Sequence, residues 1–104
     1  MNENRKIRLE SILNEQFAPI FLDVINESQM HQVPPHAETH FKVIIVSDTF
    51  EAKRLLQRHQ MIYRHLHSEL SSGLHALSLH TFTPKEWQQK HNVLASPACA
   101  HSKS

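Results

Sequence analysis

Leu9, Ile12, Leu13 and Phe17 recur at three- and four-residue spacing, with Arg5, Lys6, Arg8, Glu10 and Glu15 falling mainly on the other faces. That period predicts an amphipathic first helix, ended before Pro19 because proline disfavours helical geometry in its predecessor. Ile20-Phe21-Leu22-Asp23-Val24-Ile25 reads as a strand. From Gln29 to Thr39 the chain reads as a loop, since Pro34-Pro35 fits neither a helix interior nor a central strand. Phe41 to Val46 is apolar on both faces except at Lys42 and reads as a second strand, a hairpin partner of the first. Ser47-Asp48 offers capping side chains before a helical region from 51 to 71. Its apolar stripe is Leu55, His59, Ile62, Leu66 and Leu70, and a break within it is compatible with the pattern. Ser71-Ser72-Gly73 closes the region.

Leu74 to Phe82 reads as a third, buried strand, in which His75, Leu77, Leu79 and Thr81 share the core-facing side. Thr83-Pro84-Lys85-Glu86 has the form of a capping box with proline at the first helical position. It starts a last helix whose Trp87 should pack on the sheet. No periodicity continues past Asn92, so the reading is one domain over 1–91 and a mobile tail over 92–104. The order α-β-β-α-α-β-α predicts an α+β fold with helices packed on one face of a three-stranded sheet.

Composition narrows the function. A chain of 104 residues supports one core. It lacks an apolar run long enough to span a bilayer and an apolar signal core near Met1. A single cysteine, Cys99, excludes an internal disulfide, and a cytoplasmic location is expected. The net charge of +1 is not that of a strongly basic nucleic-acid binder, but ten histidines make the charge sensitive to pH near neutrality. H-E-x-x-H, C-x-x-C, G-x-S-x-G and glycine-rich phosphate loops are all missing, which points away from an enzyme and from a small-molecule substrate.

Two constellations carry chemistry. His75, just after the only glycine, and His31, in the proline-bounded loop, are candidate metal ligands. Two imidazoles do not close a tetrahedral site, so the remaining ligands would come from a partner. The plainer reading of His75 is a hydrogen-bonded core histidine. Lys53, Arg54, Arg58 and Arg64, with His59 beside them, form a basic set able to meet phosphates, although Glu51 and Glu69 lie close by and a charged helical face is usually just solvated.

Several ordered blocks together resemble the BolA family. They are Pro19-Ile20-Phe21-Leu22-Asp23-Val24, His31-Gln32-Val33-Pro34, Glu38 to Ser47, Leu56-Gln57-Arg58-His59-Gln60-Met61-Ile62-Tyr63, His75-Ala76-Leu77 and Thr83-Pro84-Lys85-Glu86-Trp87. The resemblance implies a class II KH-like fold and partnership with a monothiol glutaredoxin through a shared [2Fe-2S] cluster. Glutaredoxin cysteine and glutathione would hold one side, and His75, with His31 as loop ligand, the other. It also implies a DNA-binding regulator of stress response, cell shape and biofilm formation, with promoter DNA met by the long helix around Arg58 and His59. The chain departs from the family pattern at Gln60, where relatives often carry a basic residue, and at His36 and Ala52, where they often carry glycine. His36 thereby adds a second imidazole to the loop, so the loop ligand is His31 or His36. The glycine loop of true KH domains is absent, so KH-style RNA binding does not follow.

Overall fold

The computed structural model describes residues 4–28 and 38–95. His31, His36, Cys99 and the rest of the predicted loop and tail lie outside the described residues. Helix α1 (Arg5–Phe17) starts at Asn4, whose side chain accepts a hydrogen bond from the Ile7 amide at 2.9 Å. It ends at Ala18, which takes a left-handed C-cap conformation (φ 42°) with its amide donating to the Asn14 carbonyl, rather than the extended one usual before a proline such as Pro19. Strands β1 (Phe21–Asn26) and β2 (His40–Val46) pair antiparallel, as the hairpin reading expects. Strand β3 (Ala76–Phe82) pairs parallel with β2, so β2 is central and β1 and β3 are edges.

The parallel pairing requires a crossover. It is made by a 3-10 turn (Asp48–Phe50), helix α2 (Leu55–His65) and short helix α3 (His67–Ser71), so the helical region is broken at Leu66 and before Leu55. Ser47 caps the 3-10 turn rather than the long helix: its hydroxyl accepts from the Thr49 amide and donates to the Phe17 carbonyl at 2.6 Å. Ala52 follows at φ 61°, a left-handed conformation that glycine adopts without cost.

One face of the sheet builds the core. Val24, Phe41, Val43 and Ile45 pack with Leu9, Leu13 and Phe17 of α1, with Phe50, Ile62, Leu66 and Leu74, and with half-buried Leu22, Leu77 and Leu79. Each such side chain contributes about 1.5–3 kcal/mol on burial. Helix α4 (Pro84–Ala95) opens on the predicted capping box: Glu86 accepts from the Thr83 amide at 2.9 Å and Thr83 Oγ1 from the Glu86 amide at 3.1 Å. It runs to Ala95, beyond the expected boundary at 91, because Asn92-Val93-Leu94-Ala95 holds no breaker and Pro97 is the first residue that cannot continue a helix. Trp87 does meet the sheet, but on the face away from the core, where it stacks on Phe21 and meets Phe82 at a tilt, at 5.1 and 5.2 Å between ring centroids. Val46 lies between those two residues in register and is fully buried.

The apolar stripe of α2 differs from the reading of the sequence. Leu55 is 61% exposed, and the inward ridge is Arg58, Ile62 and Leu66. Only 5% of Arg58 is exposed. Its guanidinium donates to Glu86 Oε1 and Oε2 at 2.8 and 3.1 Å, to the Thr81 carbonyl at 3.2 Å and to the Lys53 carbonyl at 3.0 Å. Paired in this way, it can lie inward where an unpaired arginine could not.

Candidate functional site: the imidazole edge of the sheet

Strands β2 and β3 start side by side, His40 opposite Ala76. The Thr39 carbonyl accepts from both His75 and Ala76 amides, at 2.9 and 3.0 Å, which pins His75 one residue ahead of β3. His75 is therefore not the first member of the core-facing row. It is exposed, which excludes the reading as a core histidine, and its ring lies 6.3 Å from that of His40, centroid to centroid. His40 Nδ1 is 2.8 Å from Thr39 Oγ1, a contact that orients the ring.

Both described ends of the segment that carries His31 and His36 lie at this same edge. Ser28 Oγ accepts from the amides of Thr39 and His40 at 3.0 and 3.1 Å, and the Glu27 amide donates to the His40 carbonyl. The cleft at this edge has a volume of about 220 Å³ and is lined by Glu27, His40, Phe41, Ala76, Leu77 and Ser78. Among the described residues no group of three or more histidine, cysteine, aspartate or glutamate side chains converges as a metal site. Among the described residues, the imidazole beside His75 is that of His40.

A clamp that the sequence reading missed holds this edge in place. Arg5, assigned from the helical period to the solvated side of α1, is buried. Its guanidinium donates to Glu69 Oε1 at 2.8 Å, to the Glu38 carbonyl at 2.6 Å and to the Ser72 carbonyl at 3.0 Å, and its amide donates to Glu38 Oε1. Arg8 reaches the other oxygen of Glu69 at 2.7 Å. Arg5 therefore ties the segment entering β2 to the segment entering β3. Gly73 sits at φ 123°, and a Cβ there would come within 3.4 Å of the Arg5 guanidinium. The only sequence signal was Arg5 at four-residue spacing from Leu9, inside the apolar stripe. The two arginines hold the Glu69 carboxyl below the usual carboxylate range, against the opposing effect of its burial, with the Arg8 hydrogen bond the largest cause.

The structure divides the basic set. Lys53 and Arg54 are exposed and line a groove of about 480 Å³ with Leu55, Arg58, Thr81, Phe82, Glu86 and Gln89, between the start of α2 and that of α4. Arg58 is committed inside the fold by the four bonds above and is not a free phosphate contact. His59 is half-buried, and its imidazole is pushed below its ordinary value by burial, with His80 and Arg58 adding positive charge nearby. Arg64 is exposed near the other end of α2, outside the residues lining the groove.

A mixed three-stranded sheet with an α-α crossover defines an α+β protein, with an exposed histidine just ahead of the parallel strand starts. The BolA-like protein family model matches residues 13–86, and the chain belongs to that family. It is 52% identical over 93 residues to the DNA-binding transcriptional regulator BolA of Escherichia coli, covering 88% of this chain and 89% of that one. It is 46% identical to the protein of the same name from Vibrio cholerae, covering 88% and 87%. Among solved structures, the BolA domain of SufE1 from Arabidopsis thaliana matches with a TM-score of 0.76 and 42% identity, over 83% of this chain and 99% of that domain. No helix among the described residues is long and apolar enough to cross a membrane.

Proposed function

We propose that this protein is a non-enzymatic regulatory adaptor that lends His75, with His31 from the adjoining loop, to a [2Fe-2S] cluster shared with a monothiol glutaredoxin and its glutathione. The observation that carries the reading is the placement of His75: exposed, backbone pinned by the Thr39 carbonyl, and beside both described ends of the segment that holds His31. Imidazole in place of thiolate ligation raises a cluster's potential and makes ligation pH-dependent. The chain's own residues supply orientation. The Arg5 clamp and the paired strand starts present the ring outward, where a partner can meet it.

The test mixes the protein anaerobically with cluster-loaded monothiol glutaredoxin and follows visible circular dichroism. Wild type should produce a new spectrum, and His75→Ala should weaken or rearrange it while leaving stability within about 0.5 kcal/mol, since the side chain is exposed. An unchanged spectrum in the variant complex defeats the assignment.

A second reading, a DNA-binding transcriptional regulator, is favoured by the exposed Lys53 and Arg54 at their groove and by the names of the bacterial relatives. Lys53→Ala with Arg54→Ala should lower duplex affinity and reduce its salt dependence. Gel-shift affinity that survives the double change removes this groove as the reader. Arg58 is unsuitable for that test, because its loss would break the α2–α4 link.

A further inference from the structure

The face of the sheet opposite the core is only partly covered. Beyond Trp87 it holds a cleft of about 250 Å³ lined by Lys42, Ile44, His80, Phe82, Trp87 and Lys90. Ile44 contributes an apolar side chain from the central strand, Phe82 and Trp87 contribute touching aromatic rings, and the remaining three residues carry nitrogen bases. Among the described residues no carboxylate lines the cleft, and Asp23 stands opposite Ile44 in register on β1. Lys90 Nζ sits 5.8 Å from the Phe82 ring centroid, and neither it nor Lys42 forms an ion pair among the described residues.

From this geometry we infer a binding site for single-stranded nucleic acid on the open face of the sheet. An unpaired base stacks in the cleft against the Phe82–Trp87 wall, and Lys42 and Lys90 meet its flanking phosphates. A bare phosphate would leave the aromatic wall and Ile44 unused, and an uncharged apolar ligand would leave the lysines uncompensated. A nucleotide in a single strand offers a flat π-face and an anion together, whereas a duplex keeps its base faces stacked inside. Aromatic rings on a sheet surface flanked by cations meet both needs. Phe82 also lines the Lys53–Arg54 groove, so a strand leaving the cleft past Phe82 meets a second pair of cations. This inference requires neither a shared cluster nor duplex binding.

Trp87 is the only tryptophan, so its fluorescence reports on the cleft directly. The full chain is titrated at low salt with a twelve-nucleotide oligothymidylate. Saturable quenching is expected. Lys42→Ala with Lys90→Ala should weaken binding about tenfold and lower the log–log salt slope by about 1.4, two phosphate contacts at about 0.7 each. Retained urea stability of the double variant shows that the loss is not unfolding, and Phe82→Leu supplies an independent loss of stacking. Absence of quenching, an unchanged affinity in the double variant, or equally tight binding of a polyglutamate peptide of the same length overturns the inference. Oligothymidylate binding that depends on Lys53 and Arg54 but spares Trp87 fluorescence would place the strand in the other groove and overturn this inference.

Discussion

Arg5 and Arg58 both turn inward because a carboxylate waits for them, whereas Arg8 on α1 is only half-buried and Arg64 on α2 faces solvent. The Glu69 carboxylate receives both Arg5 and Arg8 and is itself buried. Glu69→Ala should destabilise the fold by about 3 kcal/mol, since it strands a buried guanidinium without its counter-charge. Urea denaturation would show this, and a loss below 1 kcal/mol would mean that the pair is solvated in solution. Ala52 makes the opposite case. Its left-handed φ of 61° costs an L-residue about 1–2 kcal/mol, and glycine's extra unfolded-state entropy recovers part of that difference. Ala52→Gly should therefore raise stability by up to about 1 kcal/mol, read as a higher thermal midpoint.

At the scale of elements, α2 and α4 are joined through one ion pair and one capping box that share a carboxylate. Glu86 Oε1 accepts from both the Arg58 guanidinium and the Thr83 amide. Thr83→Ala removes the reciprocal half of the box and should cost about 1 kcal/mol. The loss should appear as faster amide exchange in the first turn of α4, with the exchange of β2 unchanged. The position of α4 matters because it carries Trp87 to the open face and leaves the nearby cleft beside it. The inward ridge of α2 is likewise set by Arg58, which leaves Leu55 and Leu56 exposed at 61% and 68%.

For the molecule as a whole, three groups among the described residues have shifted pKa values that make stability depend on pH. The Arg58 hydrogen bond, with lesser help from Thr83, holds the Glu86 carboxyl below its usual range against the effect of burial, as the two arginines do for Glu69. A carboxyl depressed in the native state stabilises fully above its unfolded pKa of about 4.3, and the contribution is lost as pH falls through the folded value. His59 is also depressed, so below its unfolded pKa of about 6.5 the unfolded chain takes up a proton that the native chain resists, and stability declines there too. The expected profile has a shallow decline starting near pH 6.5 and a steeper one below about pH 4.3. Urea midpoints measured across that range would show both steps, and His59→Gln should erase the first alone.

Most of the elements were legible in the residue pattern because their signals are local. The 3.6-residue period of α1, the β-branched runs of β1 and β2, Pro19 and the Thr83–Glu86 box each act within a few neighbours. His75 was legible as a candidate because a lone glycine and an alternating run frame it, but its exposure was not. That depends on the parallel pairing of β3 with β2, which places Thr39 beside it. The burial of Arg5 and Arg58 was hidden for the same reason, since their partners Glu69 and Glu86 lie 64 and 28 residues away. A sequence by itself determines what short-range sterics and periodicity decide, here the elements and their order. Tertiary structure alone decided which cations are inside, which histidine faces outward and which face of the sheet stays open, because each outcome turns on charges and surfaces brought together from distant parts of the chain.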